Sequence, residues 1–432
     1  MNPLAKELNN LLEGTAAGSM LSEFGRRFFF PKGIISQSAE ASQKAYRFNA
    51  TIGMATSGSV PMNISSVRRL MPELSEQELF PYAPTAGVME LRELWKKEMD
   101  RKNPSLIGKP TSLPVVTTGL THGIAVTADL FVNPGDTVIV PDMFWGNYRL
   151  IVEHRICGKL ETFTFFTEEG GLNISGMEKA LRSGDPGKCI LMLNFPNNPT
   201  GYSPTAAEAN QIVSLLHALA EEGRKILVIL DDAYFGLFYE EDTYKESLFG
   251  LLADLHEHIV AVKVDGITKE ELAWGFRVGF ITYGAKGMSE ACYDALTKKT
   301  MGAVRSSISN SNKIAQSLIV RAMKDPEYAK QKDEACDVLQ KRYRRVREVL
   351  RTYAPDDPIQ PLPFNSGYFM TFVCRGDSEL LRTRLLDSYG IGSISIPEKY
   401  LRIAFSSVDL EDIEELYTTI RTAAREVFQQ LS

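Results

Sequence analysis

The sequence predicts an α/β protein, with a large domain on a mostly parallel sheet (residues 50–315) and a smaller α+β domain (1–49 and 316–432). Three observations carry this. Between about residues 85 and 285, short apolar runs rich in β-branched residues alternate with helical stretches. That is the pattern of buried strands covered by helices on both faces. Near residue 315 the texture changes, and a long charged helix opens a mixed segment. Finally, 432 residues, 44% hydrophobic and 24% charged, are enough for two domains.

Taken in order, "VMELRELWKKEM" has helical spacing. "TVIVP" (137–141), "CILMLNF" (189–195), "ILVIL" (226–230), "IVAVKV" (259–264) and "VGFITY" (278–283) read as strands. Between them "AAEANQIVSLLHALAEEG" places Ile212, Val213, Leu216 and Leu219 on one helical face, with Gly223 as its stop. Further on, "EYAKQKDEACDVLQKRYRRVREVLRTY" carries Ala335, Val338, Leu339, Val346, Val349 and Leu350 as an apolar stripe. "GYFMTFV", "YLRIAF" and a last helix, "DIEELYTTIRTAAREVFQQ", complete the chain. The first fifty residues are expected to pack on the smaller domain, because chain ends often lie close together.

Charge and composition exclude several function classes. A net charge of −6 argues against nucleic acid or an anionic membrane as partner. The five cysteines include no CxxC and histidine is sparse, so neither a disulfide framework nor a metal-ligand cluster is expected. "MNPLAKELNNLLEG" lacks a signal-peptide pattern, and no apolar run approaches the ~20 residues that span a bilayer. A cytoplasmic location follows as the expectation.

In open α/β folds ligands bind beyond the carboxyl ends of the strands. After "CILMLNF" comes Asn198; after "ILVIL", Asp231, Asp232 and Tyr234; after "IVAVKV", Gly266, Thr268 and Lys269; after "TVIVP", Trp145. Upstream, Gly119-Leu120-Thr121 opens a helix whose free N–H groups and dipole suit a phosphate. Pyridoxal phosphate (PLP) needs this set: a lysine for its aldehyde, an acid against its ring nitrogen, a donor to its phenolic oxygen, a flat side chain on its ring and a phosphate cradle.

With "YAPTAGVMELR", "TTGLTHG", "FWGNY", "NFPNNPTG", "DDAYFGLFY", "TKEELAWGFRVG" and "YLRIAF" in this order, nearly the whole chain resembles a fold-type I PLP enzyme of the class I/II aminotransferase family. "WGN" is similar to the aspartate aminotransferase branch. Arg277 follows Lys269 by eight residues, matching the family's lysine–G-x-R-x-G pattern. The resemblance implies that Lys269 carries PLP as a Schiff base and moves the Cα proton. It puts Asp231 at the ring nitrogen, with Asp232 pointing the other way, and Tyr234 and Asn198 at the phenolic oxygen. Trp145 stacks on the ring. Arg277, with Gly119, Leu120 and Thr121, holds the phosphate. Tyr82 reaches the phosphate of the neighbouring subunit of a homodimer. Arg402 forks the substrate carboxylate, with Gly53, Asn365 and Gly367 close to substrate. Arg305, thirty-six residues after Lys269, resembles the partner arginine that reads a distal carboxylate.

Four positions depart from the family. Gly266 stands where a serine or threonine binds phosphate, with Thr268 or Thr121 left to compensate; Glu270 and Glu271 follow the lysine where apolar or small residues are expected; and His122, read as structural, replaces a common glutamine. The function implied is transfer of an amino group from an L-amino acid, aspartate or glutamate, to a 2-oxo acid through a pyridoxamine form. An aromatic or broad-range aminotransferase and a PLP-dependent lyase share the same motifs. The first fifty residues carry no helix-turn-helix pattern, so a PLP-sensing DNA-binding regulator is not expected.

Overall fold

A computed structural model describes residues 1–29, 33–58, 60–396 and 399–428. Its centre is a seven-stranded sheet formed by β1 (Val115–Thr117), β2 (Thr137–Pro141), β3 (Lys159–Phe163), β4 (Cys189–Asn194), β5 (Ile226–Asp231), β6 (Ile259–Gly266) and β7 (Gly279–Ala285). The spatial order is β1-β7-β6-β5-β4-β2-β3. Only β7 runs against its neighbours, β1 and β6; the remaining pairs are parallel.

Strands β4 and β5 are buried along their whole length. Their alternate residues feed two apolar layers. Leu191, Val228 and Leu230 pack with Ile212, Leu216 and Leu219 of the helix Ala206–Glu221. Ile190, Met192, Leu227 and Ile229 pack on the opposite face with Ile124 of the helix Leu120–Phe131. Gly223, at φ +88°, follows the first of these helices in the left-handed region that favours glycine.

A four-stranded antiparallel sheet joins Ile359–Pro361, Phe369–Cys374, Tyr400–Ala404 and Ile394–Ile396, in that spatial order. The helices Tyr328–Leu350 and Ile413–Phe428 pack on it. The final two residues of the predicted last helix, Gln429 and Gln430, lie outside the described residues. Phe48–Asn49 pairs with Ile391–Gly392, and Gln37 bonds both ways to the backbone of Ser395. Earlier in the chain, Arg27 donates instead to the carbonyl of His154, beside the large sheet. No helix among the described residues is long and apolar enough to cross a membrane.

Candidate active site

The carboxyl ends of β1, β2, β4, β5 and β6 open into one cleft. Leu120, Thr121, Trp145, Asn198, Asp231, Tyr234, Thr268, Lys269 and Arg277 line it, together with Asn194 and Ala233. Strand parity explains which aspartate arrives. Leu227, Ile229 and Asp231 share one face of β5, so Asp231 meets the cleft. Asp232 turns into the core, where Lys263 and Ser247 donate to it.

Asp231 is buried, and the Tyr148 hydroxyl donates to its Oδ2 at 2.5 Å. Burial pushes its carboxyl up to about 6, Asp232 adding to the rise while the Tyr148 hydroxyl and the Ala233 N–H oppose it. Such a group changes charge readily when a cation is brought against it.

Lys269 and Arg277 sit in the connection between β6 and its antiparallel neighbour β7. The Lys269 ammonium donates to the Gly53 carbonyl at 2.7 Å and lies 4.9 Å from the Tyr234 ring centre. Burial lowers it to about 7, reinforced by the positive charges of Arg402 and Arg277 and opposed by Asp231. Gly53 is tightly enclosed: a Cβ there would stand 3.1 Å from Phe369 and 3.3 Å from Lys269 Nζ.

One end of the cleft is built from backbone and two side chains. Gly119, at φ +77°, precedes the helix Leu120–Phe131, and no side chain caps that helix. A Cβ at Gly119 would fall 2.4 Å from Arg277 Nη2 and would have to be carried at a positive φ, so glycine leaves the guanidinium its place at the least strain. Arg277 itself adopts φ +53°, an unusual backbone for a non-glycine residue. The buried Thr268 hydroxyl has no hydrogen-bond partner among the described residues. An uncapped helix start, an arginine and an orphaned hydroxyl at one end, with a carboxylate and a lysine deeper in, fit PLP.

Gly266 explains its own departure. A Cβ there would stand 2.5 Å from the Val278 carbonyl oxygen and 2.8 Å from Gly279 Cα, both backbone. The serine or threonine expected at this position is therefore sterically excluded, while the Thr268 hydroxyl stands at the same end of the cleft. Gly266→Ser is expected to destabilise the fold by about 1–3 kcal/mol, the range of overpacking, visible as a lower denaturant midpoint.

Arg402, on the strand Tyr400–Ala404, is 3% exposed. It donates to Asn198 Oδ1 at 3.0 Å and to the Thr51 carbonyl at 2.9 Å, and its Nε has no partner among the described residues. The guanidinium carbon lies 4.3 Å from the Phe369 ring centre. No carboxylate among the described residues pairs with it, and burial lowers it to about 10. A buried cation held only by neutral acceptors is a place for an anionic ligand.

Other residues fall elsewhere. Asn365 spends its amide on both backbone groups of Ser203, clamping the loop after β4 rather than facing the cleft. Tyr82 is 88% exposed and lies outside the cleft of its own chain. Arg305 is exposed at a helix end, bonded to Ser309. His122 is held between the Thr118 N–H and the Ser307 hydroxyl. Glu270 and Glu271 meet Lys102 and Lys332, which arrive from two separate helices.

Sequence reasoning missed Tyr148, the partner of Asp231, and Asn194, whose side chain joins the Asp231 carbonyl to the Asn198 N–H. Tyr148 stands one helical turn after Trp145, whose ring meets it edge-on at 5.7 Å; that spacing was the available signal.

The family model described as aminotransferase class I and II matches residues 54–420. A probable N-acetyl-LL-diaminopimelate aminotransferase of Bacillus subtilis is 28% identical over 207 residues, 48% of each chain. An aspartate/prephenate aminotransferase of Thermus thermophilus is 28% identical over 270 residues, 62% of each. The chain thus spans about half to three fifths of the length of these curated relatives. An aminotransferase from Anaerococcus prevotii superposes with a TM-score of 0.83 at 22% identity, covering 94% of this chain and 99% of its own. A multiple substrate aminotransferase from Thermococcus profundus gives 0.79 at 17%, covering 96% and 100%. At these identities the structures show the fold.

Proposed function

The chain belongs to the aminotransferase class I and II family, whose members depend on PLP, and from that premise we propose that it moves an amino group from an L-amino acid to a 2-oxo acid. The observation that carries this reading is Lys269, an amine brought near neutrality in a cleft that also presents Asp231 and Arg402. PLP, when bound, draws electrons away from the Cα–H bond of an amino acid attached to it.

The chain's own residues divide the remaining work. Lys269 would anchor the cofactor; once released by substrate, its neutral amine would take the Cα proton and hand it on in a 1,3-shift, two atoms away. Asp231, held by Tyr148, keeps a negative charge at the ring nitrogen. Asn198 and Tyr234 serve the phenolic oxygen, and Trp145 covers the ring. Arg277, Thr268 and the amides of Gly119, Leu120 and Thr121 hold the phosphate. Arg402 receives the substrate carboxylate, and the absence of a side chain at Gly53 leaves it room.

A homodimer belongs to the same reading. Met71, Phe80, Tyr82 and Met89 leave apolar surface exposed, which a second copy would cover, bringing its Tyr82 to the phosphate. Within this proposal the division into residues 50–315 and 1–49 with 316–432 is retained, and the location is cytoplasmic, consistent with five free cysteines.

For the donor we favour aspartate or glutamate, with Arg305 delivered by the partner to the distal carboxylate. The aromatic enclosure by Trp145, Tyr234 and Phe369 favours, as second reading, an aromatic or broad-range donor. PLP-loaded protein is mixed separately with L-aspartate, L-glutamate and L-phenylalanine, without acceptor. Stoichiometric release of the matching 2-oxo acid is expected; ammonia without that product would mean lyase chemistry. Arg305→Ala is expected to cut kcat/KM for the dicarboxylic donors by ~1–3 kcal/mol more than for phenylalanine, and equal losses would make the arginine structural.

A further inference from the structure

The alternation that sends Asp231 to the cleft sends three charged side chains to the opposite side of the sheet. Asp232 follows Asp231 directly, and Val264, the ladder partner of Asp231, is flanked by Lys263 and Asp265. Lys263 is 0% exposed, and both aspartates are buried. The Lys263 ammonium donates to Asp232 and stands 3.2 Å from Asp265 Oδ2. Ser247 donates to Asp232 at 2.6 Å, and Trp95 Nε1 reaches both Asp265 oxygens at 3.1 Å. The Phe235 ring lies 4.6 Å from the ammonium. A packing role alone would be met more cheaply by apolar residues, since buried charges carry a large desolvation cost.

We propose that Asp232, Lys263 and Asp265 are positioning residues for Asp231, fixing its strand end and maintaining one excess negative charge behind it, so that the ring nitrogen of bound PLP keeps its proton. This rests on the cofactor reading above. One ammonium faces two carboxylates, and the excess is felt through low-dielectric protein rather than water. On the cleft side Asp231 faces the Tyr148 hydroxyl and Lys269; beyond the triad, across a small cavity, stand Glu98, Lys102 and Glu270. Glu98 and Glu270 are answered there by Lys102 and Lys332, which leaves the triad's excess in place. Asp232 raises the proton affinity of the Asp231 carboxyl, the direction that an excess negative charge on this side of the strand end requires.

Asp265→Asn keeps the shape and leaves a one-to-one Lys263–Asp232 pair. Parent and variant are loaded with PLP labelled with 15N in the ring, and the nitrogen is titrated by NMR alongside the amino-acid half-reaction. The ring nitrogen of the variant is expected to lose roughly one pH unit of proton affinity, tenfold in the ratio of protonated to neutral ring. The half-reaction is expected to slow by about tenfold at saturation, with KM unchanged. Asp232→Asn, which leaves Lys263 paired with Asp265, gives the same readout should the first variant fail to fold. Variants that titrate and react as the parent does, with only a lower melting temperature, would overturn the proposal and leave the triad a structural staple. A parent that takes up no PLP would overturn the functional reading first, so the two failures are distinguishable.

Discussion

Lys269→Ala is expected to lose the covalent hold on PLP and to lower transamination by at least 10²–10⁴-fold, the range of a positioned acid–base group. Its environment singles it out among nearby lysines. Lys263 is committed to Asp232 and Asp265, Lys102 to Glu270, and Lys332 to Glu98 and Glu271. Among the described residues Lys269 donates to a backbone carbonyl and pairs with no carboxylate, and two guanidinium groups add to its positive surroundings. Its amine therefore sheds its proton near pH 7, where a nucleophile and base must work. Removing it also removes repulsion from Arg402 and Arg277, so the variant is expected to stay folded. Borohydride reduction followed by peptide mapping reads the result. A reducible PLP adduct at the same cleft in the variant would show that another lysine holds the cofactor.

How much of this was legible in the sequence depends on distance along the chain. Strands β4, β5 and β6 announced themselves as apolar runs, and the residues just beyond their ends followed in order, so Asn198, Asp231 and Lys269 were readable locally. Even the separation of Asp231 from Asp232 needed only strand parity. The acceptors around Lys269 and Arg402 were not readable, because the carbonyls of Gly53 and Thr51 carry no side-chain signature. Glu270 and Glu271 looked out of place because Lys102 and Lys332 reach them from distant helices. The exclusion of serine at Gly266 depends on how closely β7 approaches, a tertiary fact. Tyr82 and Arg305 lie outside the cleft of their own chain, and the roles expected of them require the second copy proposed above.

Arg402→Lys should weaken every amino-acid donor by ~2–4 kcal/mol in kcat/KM, about 30- to 900-fold, whatever its side chain. The guanidinium is anchored by two neutral acceptors in different parts of the fold, Asn198 after β4 and Thr51 near the N-terminus, and lies against the Phe369 ring. Those contacts aim the fork while leaving Nε unpaired. A lysine ammonium is a point charge that cannot satisfy both anchors and present two parallel donors to a carboxylate. The variant should therefore keep its charge and lose its geometry. Because Asn198 also serves the phenolic oxygen in the proposed arrangement, the loss should extend from KM into kcat. Amines lacking the α-carboxylate separate the two roles: their slow turnover should be nearly unchanged by the substitution. Equal losses for amines and amino acids would mean that Arg402 braces the small sheet against the large one and that the carboxylate binds elsewhere.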